Sequence, residues 1–254
     1  MATAKQSNET LEIAPVESGT VSLAILGKSP LILNRMSEKA QHELLLPDGG
    51  RRSAAAKAQS LKHEPLREFR ASPYTLESPE SPTLLGIMST AFKGAMRTAA
   101  LDLPGATKAR IGRLVYVEGE YVPIYGVPQV LMSVTRSADI NHTPDVRTRC
   151  IVAKWAAFVS ISFVKPLITA KSIVNLLAAG GVTAGVGDWR VEKGSGSFGR
   201  FTVTDPEDPE FLSVLSTGGR SVQEAAMADP TAYDRETADL LLWFDIELSR
   251  RTNG

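Results

Sequence analysis

Residues 185–203 read GVGDWRVEKGSGSFGRFTV, and they join an apolar helical pattern to a short β-branched strand at residues 201–203. Glycine occupies positions 185, 187, 194, 196 and 199 of this segment, the glycine-rich loop. Because glycine tolerates positive φ angles and lets another backbone approach closely, successive N–H groups of such a loop can converge on an anion. A hairpin whose aromatic side chains return to the core is the alternative interpretation.

The side chains of the glycine-rich loop favour a ligand that carries both phosphates and bases. Guanidinium groups form paired hydrogen bonds to phosphate oxygens, and aromatic rings offer surfaces on which bases stack. The candidate contacts in the loop are Gly187, Trp189, Arg190, Lys193, Gly196, Phe198 and Arg200.

A second segment, residues 86–105, reads GIMSTAFKGAMRTAALDLPG and predicts a helix that Ser89 or Thr90 caps. Lys93 and Arg97 are four residues apart and share one face, so two cations and the N-terminal amides form a candidate anion site. Glycine inside a helix costs about 1 kcal/mol relative to alanine. The glycine at position 94 therefore indicates that the backbone must remain approachable there. The predicted apolar stripe comprises Phe92, Met96, Ala99 and Ala100.

The remaining patterns complete a βαββαβ order, so the predicted fold class is α+β with a ferredoxin-like (RRM-like) core. Residues 155–164, WAAFVSISFV, alternate in polarity and predict a central, half-buried strand. The strands at 111–117 and 121–124 are expected to pair with each other. Further strands are predicted at 21–33, 127–135 and 199–204, and a helix capped by Thr169 at 170–179.

Insertions and terminal segments surround this core. The insertions cover about residues 37–85, with a helical pattern at 38–46 and a basic, mobile excursion at 51–70, and about residues 136–152, a polar hairpin. The predicted division is a disordered N-terminus at 1–20, a domain at 21–204 and an acidic helical tail at 205–254. The tail opens with a proline-broken linker, DPEDPE, and holds helical patterns at 221–228 and from about 229 to 250.

Charge is unevenly distributed along the chain. Residues 205–254 hold four arginines against eleven acids, a balance of −7, and residues 1–204 hold 24 bases against 17 acids, a balance of +7. A basic body with an acidic tail is typical of a nucleic-acid surface with a shielding or partner-binding segment, or of two differently solvated faces.

Several classes of protein are disfavoured by the sequence. The polar N-terminus has no apolar signal region, no run of residues is long enough to span a membrane, and the single Cys150 fits a reducing cytoplasm. No Walker loop, metal-ligand cluster or catalytic triad is recognisable, so neither a cofactor nor a metal is expected and catalysis is not the primary hypothesis. His63 and His142 remain candidate bases for RNA cleavage, and Cys150 is expected to be a buried structural thiol.

Two motifs resemble those of the repeat-associated mysterious protein (RAMP) superfamily. MSTAFKGAMRTAA, residues 88–100, is similar to the start of that superfamily's first helix, and VGDWRVEKGSGSFGRF, residues 186–201, is similar to its C-terminal glycine-rich loop. The resemblance implies a ferredoxin-like fold and RNA contacts at the loop. It also implies that the polar hairpin acts as the thumb of a CRISPR-associated family-seven backbone subunit, with Arg136, Arg147, Arg149 and Lys154 facing RNA.

The segment KSPLILNRMSEKA, residues 28–40, matches the region where related RNA-targeting subunits carry a cleaving acid. Here it offers Asn34 and Arg35 and no aspartate, so target cleavage is not expected, and Arg35 is a candidate nucleic-acid contact. The resemblance therefore implies sequence-independent binding of single-stranded RNA, such as guide RNA, or single-stranded DNA. It also implies head-to-tail self-association into a filament with other effector-complex subunits. The alternatives are a stand-alone, phage-carried relative that binds single strands or interferes with a host complex, and a metal-independent endoribonuclease.

Overall fold

The computed structural model describes residues 15–36, 45, 63–136, 144–193 and 196–252. Their helices and strands, in chain order, are β1 (Glu17–Gly27), β2 (Leu31–Leu33), α1 (Pro65–Ala71), β3 (Tyr74–Thr75), β4 (Leu85–Met88), α2 (Ser89–Ala99), α3 (Lys108–Leu114), β5 (Val115–Val117), β6 (Tyr121–Pro123), β7 (Pro128–Arg136), β8 (Pro144–Val152), β9 (Ala156–Lys165), α4 (Ala170–Thr183), β10 (Phe201–Thr204), α5 (Pro209–Thr217), α6 (Arg220–Ala228) and α7 (Arg235–Thr252).

The central sheet has the strand order β10-β1-β9-β5, and every neighbouring pair is antiparallel. With α2 between the first two of these strands in sequence and α4 between the last two, this is the ferredoxin-like βαββαβ arrangement, and the predicted α+β class is confirmed. Alternate residues of β9, from Ala157 to Phe163, face the helices and are buried. The core therefore lies between this sheet and the α2–α4 pair.

The predicted strand at 21–33 is two strands in different sheets. β1 begins at Glu17, inside the segment expected to be disordered, and β2 joins the three-stranded sheet β2-β8-β7. The chain turns between them at residues 28–30, where Pro30 has no N–H to donate to a ladder. The turn places β2 beside the glycine-rich loop.

The segment around residue 111 differs from the prediction. Residues 108–114 form α3 because the Thr107 side chain accepts a hydrogen bond from the amide of Arg110 and Ile111 is buried against the core. β5 pairs with β9, whereas β6 pairs with β4 in the small sheet β3-β4-β6. The predicted pairing between residues 111–117 and 121–124 is therefore wrong.

Both insertions contain regular structure. β8 pairs with β7 over nine residues, so the predicted polar hairpin at 136–152 is largely the second strand of a ladder. In the first insertion, residues 65–71 form α1 with Phe69 buried, although this stretch was expected to be mobile. The helical pattern at 38–46, apart from residue 45, and most of the basic excursion lie outside the described residues.

Gly180 and Gly181, which directly follow the predicted helix at 170–179, lie inside α4. A Cβ at Gly180 would lie 3.1 Å from the Ala95 backbone, and one at Gly181 would overlap the Phe201 carbonyl, so these glycines allow α4 to pack closely on α2 and β10. The helix ends later, where Gly185 has a φ of 71° and its amide donates to the Gly180 carbonyl.

The acidic segment packs on the folded domain, with α5 in an apolar cluster separate from the main core. Asp208 caps an unpredicted helix, α5, which begins at the end of the predicted linker, and Phe211 of that helix is buried. The buried Gln223 of α6 accepts hydrogen bonds from the amides of Leu84 and Leu85 and donates to carbonyls of residues 124, 126 and 218. α6 has the predicted position, whereas α7 begins several residues later than predicted.

Candidate nucleic-acid interface

An open cleft of about 460 Å³ separates α2 from the glycine-rich loop. Three cations from three elements line it: Arg97 of α2, Lys108 of α3 and Arg190 of the loop. Asp188 and Glu192 also line the cleft, so its charge is mixed. The structure thus brings together Arg97, Arg190 and Gly187 of the predicted contacts.

The α2 wall leaves backbone available to a ligand. Thr90 and Ala91, in the first turn, line the cleft, and no side chain caps the helix, so the predicted Ser89 or Thr90 cap is wrong. The amides at this end carry the partial positive charge of the helix dipole. A Cβ at Gly94 would meet nothing within 4 Å, so the helix surface at that position is open to the cleft.

The loop wall is different, because most of its amides already donate to the protein. The amide of Asp188 donates to the Ile32 carbonyl at 2.9 Å and that of Gly199 to the Pro30 carbonyl at 2.8 Å. Other amides with protein acceptors are those of residues 185, 186, 189, 192, 198 and 200. The prediction that successive loop amides converge on an anion is therefore corrected: the loop is folded onto β2 and onto itself.

Trp189 and Arg149 pack the glycine-rich loop against the sheet β2-β8-β7. The Arg149 guanidinium is 5.0 Å from the Trp189 ring centroid, and its Nε is 3.3 Å from Oδ2 of Asp188. Only 3% of Arg149 is exposed, and burial lowers the pKa of its guanidinium while the Asp188 carboxylate opposes that shift. Trp189 also packs on Phe198, with ring centroids 6.1 Å apart. These three residues pack the loop against β2 and β8, and their contact with nucleic acid stays a prediction.

The other predicted contacts are dispersed. Lys93 lies 5.9 Å from the ring centroid of Tyr116, away from the cleft lining, and Arg35 lies 5.8 Å from that of Tyr74. Arg147 and Arg200 are exposed, outside the cleft lining, as is Lys154. A Cβ at Gly196 would overlap the Trp189 carbonyl oxygen, so this glycine serves packing. Arg136 is the last residue of β7, and Lys193 is the last residue of a short 3₁₀ turn. The side chains of both residues lie outside the described part of the structure.

Lys108, Thr98, Asn34 and Glu192 are cleft residues that the sequence analysis missed. A local signal existed for Lys108, which follows the helix-capping Thr107. No local signal identifies Glu192, because its contact with Thr98 joins residues 94 positions apart.

His63, a candidate base, and Cys150 both lie among the described residues. Both ring nitrogens of His63 are engaged, Nδ1 with Glu68 at 3.0 Å and Nε2 with Asp145 at 3.2 Å, which leaves neither nitrogen open to a substrate proton. Burial raises the pKa of the Cys150 thiol far above its ordinary value, so it does not form a nucleophilic thiolate. His142 lies outside the described residues. Within the described ranges, no group of three or more potential ligands is arranged to hold a metal ion.

Comparisons with known proteins leave the family of this chain undecided. No protein-family model matches it, and no curated protein does. A crystal structure of Cmr6 from Pyrococcus furiosus is similar over 74% of this chain and 98% of that one, with 10% identity and a TM-score of 0.38. Likeness at this level decides neither fold nor function. Across the described ranges, every helix is too short or too polar to cross a bilayer.

Proposed function

We propose that this chain binds single-stranded nucleic acid without reading its sequence, in the cleft between α2 and the glycine-rich loop. The observation that carries the proposal is the convergence of Arg97, Lys108 and Arg190 on an open cleft beside a helix end that no side chain caps. Cations and helix N-terminal amides bind phosphates whatever the base, which favours backbone recognition. The resemblance of residues 88–100 and 186–201 to RAMP motifs favours RNA in a CRISPR-type assembly.

A binding measurement tests this proposal. Gel shifts on homopolymeric RNA and DNA of several lengths should show tight, salt-sensitive binding by the wild type. An Arg97→Ala/Lys108→Ala variant should bind about tenfold or more weakly, with the salt slope reduced by about 1.4, because two phosphate contacts are lost.

The matched control is Lys171→Ala/Arg235→Ala, which removes two exposed cations outside the cleft lining. This control should bind as the wild type does. Equal binding by all three proteins would show that the cleft is not the site, and no binding to any oligonucleotide at low salt would overturn the function.

Self-association is the second part of the proposal, and α7 is the surface that favours it. Leu242, Trp243 and Ile246 of this helix are each more than 60% exposed and lie within about one turn of one another. Exposed tryptophan-centred patches are typical of interfaces. We assign the occupant as a second copy of this chain, because the balance of −7 over residues 205–254 complements the +7 of residues 1–204. Repetition of such a heterologous contact would give a filament.

Mass measurement by light scattering, with and without a homopolymer, tests this interface. Wild type should form species larger than one chain without polymer, and these species should grow with polymer length when it is added. Without polymer, Trp243→Glu should remain a single chain. Leu212→Glu, an exposed apolar residue of α5, is the matched control and should assemble as the wild type does. A wild type that is monomeric under every condition, or a Trp243→Glu variant that still assembles, would contradict the assignment.

A further inference from the structure

Three donors in the cleft hold one carboxylate of the chain itself. Arg190 Nε and Nη2 lie 2.9 Å and 2.8 Å from Oε2 of Glu192, and the Thr98 hydroxyl donates to Oε1 of Glu192 at 2.8 Å. Arg190 and Glu192 belong to the loop wall and Thr98 to α2, so the carboxylate joins the two walls. The arrangement is a complete binding site for a small oxyanion.

The donors of this site suit a phosphate group as well as a carboxylate. A planar guanidinium that offers two N–H groups and a nearby hydroxyl are common partners of phosphate oxygens. Arg190 Nη1 also donates to the Gly187 carbonyl at 3.1 Å, and this bond holds the guanidinium in place independently of Glu192. The side chains of Arg190 and Glu192 are each 30% exposed, so another anion can reach the pair from solvent.

We infer that Arg190 and Thr98 form a phosphodiester subsite of the cleft, which Glu192 occupies until a bound strand displaces it. The inference rests on the proposed function, because the cleft must first receive a strand. Glu192 then has two effects: it neutralises Arg190 in the free protein, and it lowers affinity because its contacts must be broken before a phosphate takes its place.

Anisotropy titrations of dye-labelled homopolymeric RNA and DNA test the subsite. Glu192→Gln should bind roughly threefold to tenfold more tightly than the wild type, since the exchange no longer breaks an ion pair. The matched control is Glu207→Gln, which removes the same charge at an exposed position outside the cleft lining. Glu207→Gln should bind as the wild type does, and a Glu192→Gln variant no tighter than this control would overturn the subsite while leaving the proposed function intact.

An Arg190→Gln background separates displacement from simple repulsion between Glu192 and phosphate. Arg190→Gln should lower the salt slope by about 0.7, as expected for one lost phosphate contact to a single strand. Glu192→Gln should give no further gain in that background, because no guanidinium remains to be released. A gain that persists would mean that Glu192 only repels the strand, which contradicts the subsite. Thermal unfolding curves check that each variant folds, and Arg190→Met, which keeps the apolar stem but removes the charge, replaces Arg190→Gln if that variant does not.

If no protein in the series binds any oligonucleotide, the proposed function fails and the subsite fails with it. If all proteins in the series bind with equal affinity, the subsite fails and the proposed function remains.

Discussion

The two walls of the cleft use their backbones in opposite ways. The first turn of α2 has no side-chain cap and the helix surface at Gly94 is open, whereas the amides of the glycine-rich loop donate largely to β2 and to the loop itself. Both walls contain glycine, but most described amides of the loop already donate to the protein, whereas the α2 surface at Gly94 is open. Glycine content therefore does not identify an anion site, because availability depends on where each N–H already donates.

The largest expected effect is in the loop wall, at Gly199. This residue has a φ of 67°, and a Cβ there would overlap the Val186 carbonyl oxygen. Gly199→Ala should lower the free energy of unfolding by about 2–5 kcal/mol, since it adds backbone strain to a steric clash. Urea denaturation measures this change. A loss below about 1 kcal/mol would mean that the loop is not packed as described, and would remove the contrast between the walls.

An intermediate effect is expected at Asp188, which anchors the loop wall. Asp188→Asn removes the charge opposite the buried Arg149, and its single amide oxygen can still accept from only one of the two present donors, the Asn34 amide or the Trp189 N–H. Because a buried cation loses its partner, the free energy of unfolding should fall by about 2 kcal/mol. Glu192→Gln, which breaks a partly exposed ion pair, should cost less than about 1 kcal/mol in the same urea denaturation experiment. Equal costs would show that the ring of Trp189, and not the carboxylate, holds Arg149.

Local patterns account for the parts of the fold that the sequence predicts correctly. The alternation from Ala157 to Phe163, the stripe of Phe92 and Met96, and the Thr169 cap are each decided within a few residues. Their combination indicates the order of the core elements and hence the ferredoxin-like arrangement. α3 also had a local signal in Thr107, but the apolar residues that follow favour a strand, and packing against α2 overrides that preference.

Long-range contacts account for what the sequence does not predict. The acceptors of the loop amides at residues 188 and 199 are carbonyls of Ile32 and Pro30, more than 150 positions earlier in the chain. A similar sequence separation, 154 positions, lies between Asn34 and Asp188. The Asn34 side-chain amide donates a hydrogen bond to the Asp188 carboxylate at 3.0 Å. Arg97 and Arg190 are recognisable as cations from the sequence alone, but their shared cleft depends on how α2, β2 and the loop assemble. Composition indicates which residues can bind phosphate, and the fold decides which of them lie close together.

The smallest effect, and the most direct test of the α2 wall, is expected for Gly94→Ala. A methyl group there meets nothing within 4 Å, so the variant should gain up to about 1 kcal/mol in the free energy of unfolding from helix propensity. The same methyl group projects into the cleft and should weaken binding of a single strand severalfold if the strand approaches the α2 backbone. Asn175→Ala, an exposed position of α4 outside the cleft lining, is the control, because it raises helix propensity without narrowing the cleft. Greater stability with unchanged affinity in Gly94→Ala would show that the strand does not use this helix surface, and would leave the cations alone to explain binding.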